Sequence, residues 1–304
     1  MGFVAYHTHG WEWIYWTLTI INGVQFVLYF FFGPETLYVR NAPKVESTKS
    51  PFRREYMTFG KIGPQPLLFK DFFTPLKLFA YPNILIPTTS YALVFGFASV
   101  LLTVEIPQLF TPRYGFNAQQ IGLQFLGIVI GSVLGEILGG RGSDIWMRLG
   151  AEKLGRSRRA SPEHRLWLSY VGFLTVIIGI VVFCVQVNNL KHYNITPIVG
   201  IAIAAFGNQV ITTVLVTYTI DSHHEHSASI GVFINLIRST WGFIGPFWFP
   251  SMFTNIGLKG TAGLISGLVL VISVLPTIFI QFRGAKIREK RAENDLDQVN
   301  TITR

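Results

Sequence analysis

The chain has 304 residues, of which 50% are hydrophobic and 13% charged, with a mean hydropathy of +0.41. Soluble domains carry about 25% charged residues, so this composition excludes a water-soluble globular domain and points to the membrane. The net charge of +9 would suit nucleic acid, but the basic residues lie in loops between apolar runs, where anionic inner-leaflet lipid is the expected partner.

Seven stretches reach the roughly 20 residues that a hydrocarbon core of about 30 Å requires. They are Trp13–Phe32, Ile84–Thr103, Gln119–Leu138, Leu166–Val187, Thr196–Tyr218, Ser229–Phe253 and Ala262–Phe282. Backbone groups in lipid must be satisfied within the segment, so the spacing predicts an all-α membrane protein of seven transmembrane helices. The alternation of a membrane barrel is absent from these stretches. The first ten residues hold no Lys or Arg and the first apolar run is span-length, so no cleavable leader is expected. The single Cys184 lies within an apolar run, so no internal disulfide can form.

After the first span, residues 34–80 hold eight Lys and Arg, the loop 139–167 holds seven, and the tail from Arg283 holds six. The opposite side holds three, Arg113, Lys191 and Lys259. The positive-inside rule therefore puts the N-terminus outside and the C-terminus in the cytoplasm. Within 34–80, Leu67–Phe79 mixes Leu and Phe with Lys70, Asp71 and Lys77, and reads either as a helix lying flat at the interface or as an ordered linker. The second span carries Thr88, Tyr91 and Ser99 near one face, interrupted by Phe95. The third carries Gly127, Gly131, Gly135 and Gly139 at spacing four, a groove that lets another helix approach closely. Asp144 follows that groove; it is expected to cap a helix start and to pair with Arg148. The fifth span sets Gln209, Thr213 and Thr217 on one face with Asn208 and Thr212 beside them, facing other helices or water. In the sixth, Gly245, Pro246 and Pro250 are expected to kink the outer half.

Charge within or at the ends of the spans is confined to Glu105, Glu136 and Arg238. Each costs roughly 2.5–3.5 kcal/mol on insertion scales, so a partner or a task is expected. Arg238 lies about ten residues into its helix, roughly 15 Å deep, with Asn235 one turn before it. An Arg238–Glu136 pair is geometrically possible, and a carboxylate there is a candidate for proton coupling, with a structural role as the alternative. Asp221-Ser-His223-His224-Glu225-His226 lacks metal-ligand spacing and reads as solvated capping of two helix ends, so no metal and no cofactor is expected.

A resemblance joins these features. Gly140-x-x-x-Asp144, Arg148 and Gly155-Arg156-x-Arg158-Arg159 resemble the loop motif of the major facilitator superfamily. Pro162-Glu163-His164-Arg165-Leu166-Trp167 and the sixth span are similar to the ninth and eleventh spans of its fungal drug:proton antiporter branch. Gly10-Trp11-Glu12-Trp13 resembles the Gly-Trp-Arg-Trp before family span six, with Glu12 departing from the usual Arg, and Pro34-Glu35-Thr36 is similar to the motif ending that span. The resemblance implies spans six to twelve of a twelve-span carrier, a partial facilitator fold of one span plus the six-helix C-terminal bundle. It divides the chain into residues 1–33 as the first span, 34–80 as the central cytoplasmic loop, 81–282 as the bundle and 283–304 as the tail.

It further implies alternating-access transport of a small organic molecule, proton-coupled, with no enzyme activity, in the plasma membrane. On this resemblance Thr88, Tyr91, Ser99, Asn208, Gln209, Thr213, Thr217, Asn235 and Arg238 line the cavity. Glu136 is the proton-coupling candidate, and Gly140, Asp144 and Arg148 form a conformational latch. The partners implied are substrate, protons, and a missing N-terminal half or a second copy. Without spans one to five, the glycine groove, the polar stripe and Arg238 are expected to face lipid and destabilise the chain. A seven-span receptor and a non-transporting fragment that binds a full-length partner are the alternatives; the loop motif, the glycine groove and the lack of a disulfide stand against the receptor.

Overall fold

The computed structural model describes residues 2–8, 11–33, 73–153, 161–190, 192–223 and 227–302, which form two compact units divided at Phe72. Gly10, Pro34-Glu35-Thr36, residues 67–72, Arg156, Arg158, Arg159, Lys191 and His224–His226 lie outside the described residues. The described residues are mostly helical and contain no strand. Among the described residues six helices are long and apolar enough to cross a membrane.

The first unit holds a short helix, Gly2–Thr8, and α1, Glu12–Phe32. A lone apolar helix needs lipid or a partner to cover it. In α1 the hydroxyls of Thr17 and Thr19 are satisfied by the carbonyls four residues back, at 2.7 and 2.8 Å, which makes an apolar helix carrying them compatible with hydrocarbon.

The second unit opens with helical turns at Thr74–Lys77 and Leu78–Ala80. Leu78 is buried, and the Phe79 ring meets Phe233 edge-on at 4.9 Å. This described part of the predicted surface helix thus packs on the bundle. α2 follows over Pro82–Tyr114, then α3 over Ala118–Glu152, α4 over Pro162–Asn189 and α5 over Thr196–Ser222. Local chemistry sets these bounds. Pro stands in the first turn of α2, α4 and α5, where no intrahelical donor is lost. Gly115 ends α2 at φ 67°, a left-handed conformation that glycine adopts without strain. Asn117 and Gln120 form a reciprocal capping box at the start of α3.

The sixth long helix spans Ser227–Glu289 and is broken at Gly257, with φ 69° and ψ 170°. We name its arms α6 (227–256) and α7 (258–302). Phe95 lies against Arg238 and Phe97 against Trp248, so α6 runs parallel to α2. Ser90 meets Ser273 and Asn83 meets Gly284, so α7 runs antiparallel to it. The chain therefore doubles back at Gly257. Gly245, Pro246 and Pro250 do not interrupt helical dihedrals. Proline's fixed φ suits a helix even where its missing donor weakens one; Gly257 takes the positive φ that ends it.

The unit is organised about α5, which packs on α2, α3 and α4. Against α4 it is antiparallel, and glycines meet in pairs. A Cβ on Gly207 would stand 2.6 Å from the Gly172 carbonyl, and one on Gly179 2.6 Å from the Gly200 carbonyl. Against α3 it is parallel. A Cβ on Gly127 would reach 2.7 Å from Ile198, one on Gly131 or Gly135 would strike the carbonyl of Ala202 or Phe206, and one on Gly139 would lie 3.1 Å from Thr213. The groove therefore does not face lipid, contrary to the expectation from the resemblance: α5 of the same chain fills it. Backbones that close gain dispersion contacts along their length, the main attraction available between helices in hydrocarbon.

Gly131→Leu is expected to cost at least the about 1–3 kcal/mol of overpacking, because the obstacle is backbone. Gly263→Leu, with nothing within 4 Å of its added Cβ, is the control. Thermal melts of the purified chain in lipid nanodiscs should show Gly131→Leu destabilised and Gly263→Leu near wild type.

Candidate functional site

The α3–α5 register brings one acid to two polar side chains. Gln209 Nε2 donates to Glu136 Oε2 at 2.6 Å, and Thr213 Oγ1 lies 3.1 Å from the same oxygen. Four-residue spacing puts Gly135 and Gly139 on either side of Glu136 along the contact, so the packing that seats the glycines also fixes the carboxylate. Thr213 Oγ1 also reaches its own helix at the Gln209 carbonyl, 3.0 Å. Thr212 and Thr217 donate to the Asn208 and Thr213 carbonyls at 2.7 and 2.6 Å, which leaves their oxygens free only as acceptors. Asn208 is buried, with Oδ1 lacking a hydrogen-bond partner.

Arg238 does not join this cluster. Its guanidinium donates to Asn235 Oδ1 at 2.8 Å and lies 5.1 Å from the centre of the Phe95 ring. Asn235 and Arg238 are one turn apart and meet on one face of α6, while Phe95 sits on α2. The pair that depth alone allows is not formed, and there are two separate sites, Glu136 on the α3–α5 seam and Arg238 on the α2–α6 seam. Depth along a helix fixes height in the membrane but not azimuth. The polar stripe and Arg238 thus have hydrogen-bond partners within the chain, although Glu136 and Asn235 stay exposed on the described unit.

Thr88, Tyr91 and Ser99 do not form one face. Thr88 and Tyr91 are 1% and 4% exposed, packed inside the bundle, while Ser99 is half-buried. Ser99 lies in a π-helical turn, Gly96–Leu101, whose wider pitch changes the register of the residues within it relative to Thr88 and Tyr91.

At the end bearing the basic loop, α3 does not stop after the groove. A second π turn, Leu138–Gly142, carries it past Gly140 into Ser143–Lys153. Asp144 is therefore inside a continuous helix rather than capping a new one. Its partner is Arg165 at 3.7 Å, and Arg165 also reaches Asp221 at 3.5 Å, so one arginine links α3, α4 and α5. Arg148 is exposed on α3. The ring of His223, from the motif read as helix capping, meets Tyr81 edge-on at 5.4 Å. Nearby, Glu163 is buried and paired with Arg288 of α7 at 2.9 Å, the Asn83 amide donates to the Gly284 carbonyl at 3.1 Å, and Tyr170 donates to Gln281. In the sequence Glu163 and Arg165 stand only as part of the family-like Pro162–Trp167 run, with Arg165 also one of the seven basic residues of the loop. Four residues, Pro162–Arg165, held both pivots, but their partners lie far along the chain.

The family model described as Major Facilitator Superfamily matches residues 1–246. The chain belongs to the major facilitator superfamily. This facilitator chain is 27% identical to the MFS-type transporter mpsC of Macrophomina phaseolina over 294 residues, covering 94% of itself and 56% of that protein. It is 28% identical to the MFS-type transporter hepF of Aspergillus oryzae, covering 92% and 57%, and 27% identical to penM of Penicillium rubens, covering 92% and 55%. The chain thus spans little more than half the length of these fungal relatives. No solved structure matches it. A facilitator is a multi-pass membrane protein, in keeping with its apolar helices.

The Glu136–Gln209 contact is open to a double-mutant cycle. Glu136→Leu and Gln209→Leu should each destabilise the chain, and the double variant should recover about 1 kcal/mol of coupling, the range of polar contacts between membrane helices. Additive losses in nanodisc unfolding would place the two side chains apart.

Proposed function

We propose that the chain forms the C-terminal part, spans six to twelve, of a carrier that moves a small organic molecule across the membrane by alternating access, in exchange for protons. The family match over residues 1–246 carries this reading. The half-length coverage of the relatives supports an incomplete transport path, completed by an N-terminal half or a second copy. Inverted or repeated halves that rock about a midplane site are the general plan of such carriers.

In this reading Gln209, Thr213 and Thr217 with Asn208, and separately Asn235 with Arg238, offer polar groups to substrate. Glu136 would exchange its hydrogen bonds to Gln209 and Thr213 for a proton as the halves move. The latch is built on Asp144–Arg165–Asp221, with Gly140 and the π turn giving α3 the freedom to shift and Arg148 available to the other half. Gly245, Pro246 and Pro250 would let α6 bend. The basic loops and tail sit on anionic inner-leaflet lipid, with the N-terminus outside and the C-terminus in the cytoplasm of a fungal cell's plasma membrane. A receptor of seven spans shares this alternation of ends but has no claim on the family match.

Single cysteines at Lys191 and Lys259 are expected to react with an impermeant maleimide from outside, and those at Arg158 and Lys290 only after permeabilisation. Outside labelling at Arg158 would overturn the placement. For transport, the purified chain in proteoliposomes is expected to give no proton-driven uptake of amphipathic cations, and its co-expression with a relative's first five spans to give uptake that Arg238→Ala abolishes. Arg238-dependent uptake by the chain alone would establish a self-sufficient homodimer instead.

A further inference from the structure

Glu105 lies in α2 beyond the first π turn, and only 2% of it is exposed. Its Oε1 is buried with no hydrogen-bond partner, and no ion pair among the described residues reaches it. The segment Leu102–Tyr114 that carries it packs on the π turn Gly96–Leu101, on Ala118–Gln124 at the start of α3, on the stretch Ser227–Leu268 that holds α6 and the start of α7, and on α4, where Phe110 meets Phe183 next to the buried Cys184. The first two of these hold no charged residue. α6 brings Arg238, already bound to Asn235 and the Phe95 face, and the turn beyond it brings Lys259, past the break at Gly257. Glu105's own helix adds Arg113, which donates to the Asn188 carbonyl at 3.1 Å, and Tyr114, in a cluster of rings with Phe110, Phe116 and Tyr193. No cation among the described residues is therefore engaged with the carboxyl.

A carboxylate without counter-ion or donors is very costly in such surroundings, whereas the neutral acid is not. The backbone around it is weakly tied. The wide turn ends at Leu101, four residues before Glu105, and Pro107 and Pro112 follow, each removing a helical donor. One packing, closed and dry, thus suits the acid, and a second, with this end of α2 open to water, suits the anion.

We propose that Glu105 is a proton-exchange site, loaded when α2 packs closed and discharged when the end of α2 carrying Pro107 and Pro112 opens to water on the side opposite the basic loops. Binding a proton selects between the two packings by its differential affinity for them. Use of this site as a coupling step rests on the transport reading above; the proton binding does not.

The test is reaction of the full 304-residue chain, in phosphatidylcholine nanodiscs, with dicyclohexylcarbodiimide. The acid proton moves to one carbodiimide nitrogen, the carboxylate oxygen adds to the central carbon, and the acyl group then shifts to nitrogen, giving a stable N-acylurea with no atom lost. Peptide mass spectrometry is expected to find this adduct on Glu105 at about pH 6 and to see it fall at least tenfold by about pH 9. Glu105→Gln should abolish that adduct and leave the labelling of Glu136 unchanged; Glu105→Asp, which keeps the acid, should retain it if the amide variant does not fold. No adduct on Glu105 at any pH, or one that does not vary with pH, overturns the proposal. A pH-dependent adduct in a chain that supports no uptake with any added half would sink the transport reading and leave the proton site standing.

Discussion

The bundle depends on how closely α5 can be approached. Gly127, Gly131, Gly135 and Gly139 press α3 onto one side of it, and the pairs Gly172–Gly207 and Gly179–Gly200 press α4 onto another. In hydrocarbon, apolar side chains gain little by leaving lipid for one another, so contact area and backbone proximity must supply the attraction. A helix with glycine-fitted neighbours on two sides has little freedom to rotate or slide. Everything that α5 carries is fixed in height and azimuth by that fit.

The polar chemistry follows from it. Glu136 meets Gln209 and Thr213 because it stands between two groove glycines. Arg165 can bridge Asp144 and Asp221 because α3 and α5 run parallel and end at the same level. The parallel run also explains the π turn at Leu138–Gly142: residues such as Gly140 and Gly142 accept a widened turn, which lets α3 leave the seam while remaining a helix. Charges in this unit are in several cases answered within it, Arg238 by Asn235 and the Phe95 face, Glu163 by Arg288. Glu105 stands out against that pattern, buried with one oxygen unanswered.

The reversal at Gly257 closes the architecture. It sends α7 back along α2, so that Ser90 and Ser273 exchange hydrogen bonds with each other's carbonyls and the basic end is braced by Asn83–Gly284 and Glu163–Arg288. The brace joins α2, α4 and α7 at the level where the Asp144–Arg165–Asp221 link joins α3, α4 and α5. Both meet in the short turn Pro162–Leu166, which makes that turn the common anchor of the bundle's basic end.

The amino-acid sequence by itself determined the helical class, the approximate spans and the existence of a close-packing groove, because each rests on local periodicity: about 20 apolar residues make a span, and glycines four apart share a face. The glycines of the α4–α5 contact, seven apart at Gly172 and Gly179 and at Gly200 and Gly207, carried the same kind of signal without a run to draw the eye. Tertiary structure alone decided partners. Which helix fills the groove, that Asp144 pairs with Arg165 instead of Arg148, and that Arg238 and Glu136 do not meet all depend on helix azimuth and neighbour order. So does the burial of Glu105 and Thr88, residues whose immediate sequence gives no sign of which way they face. A span's composition fixes that it crosses the membrane; only packing against its neighbours fixes its rotation, and rotation selects which polar groups find each other.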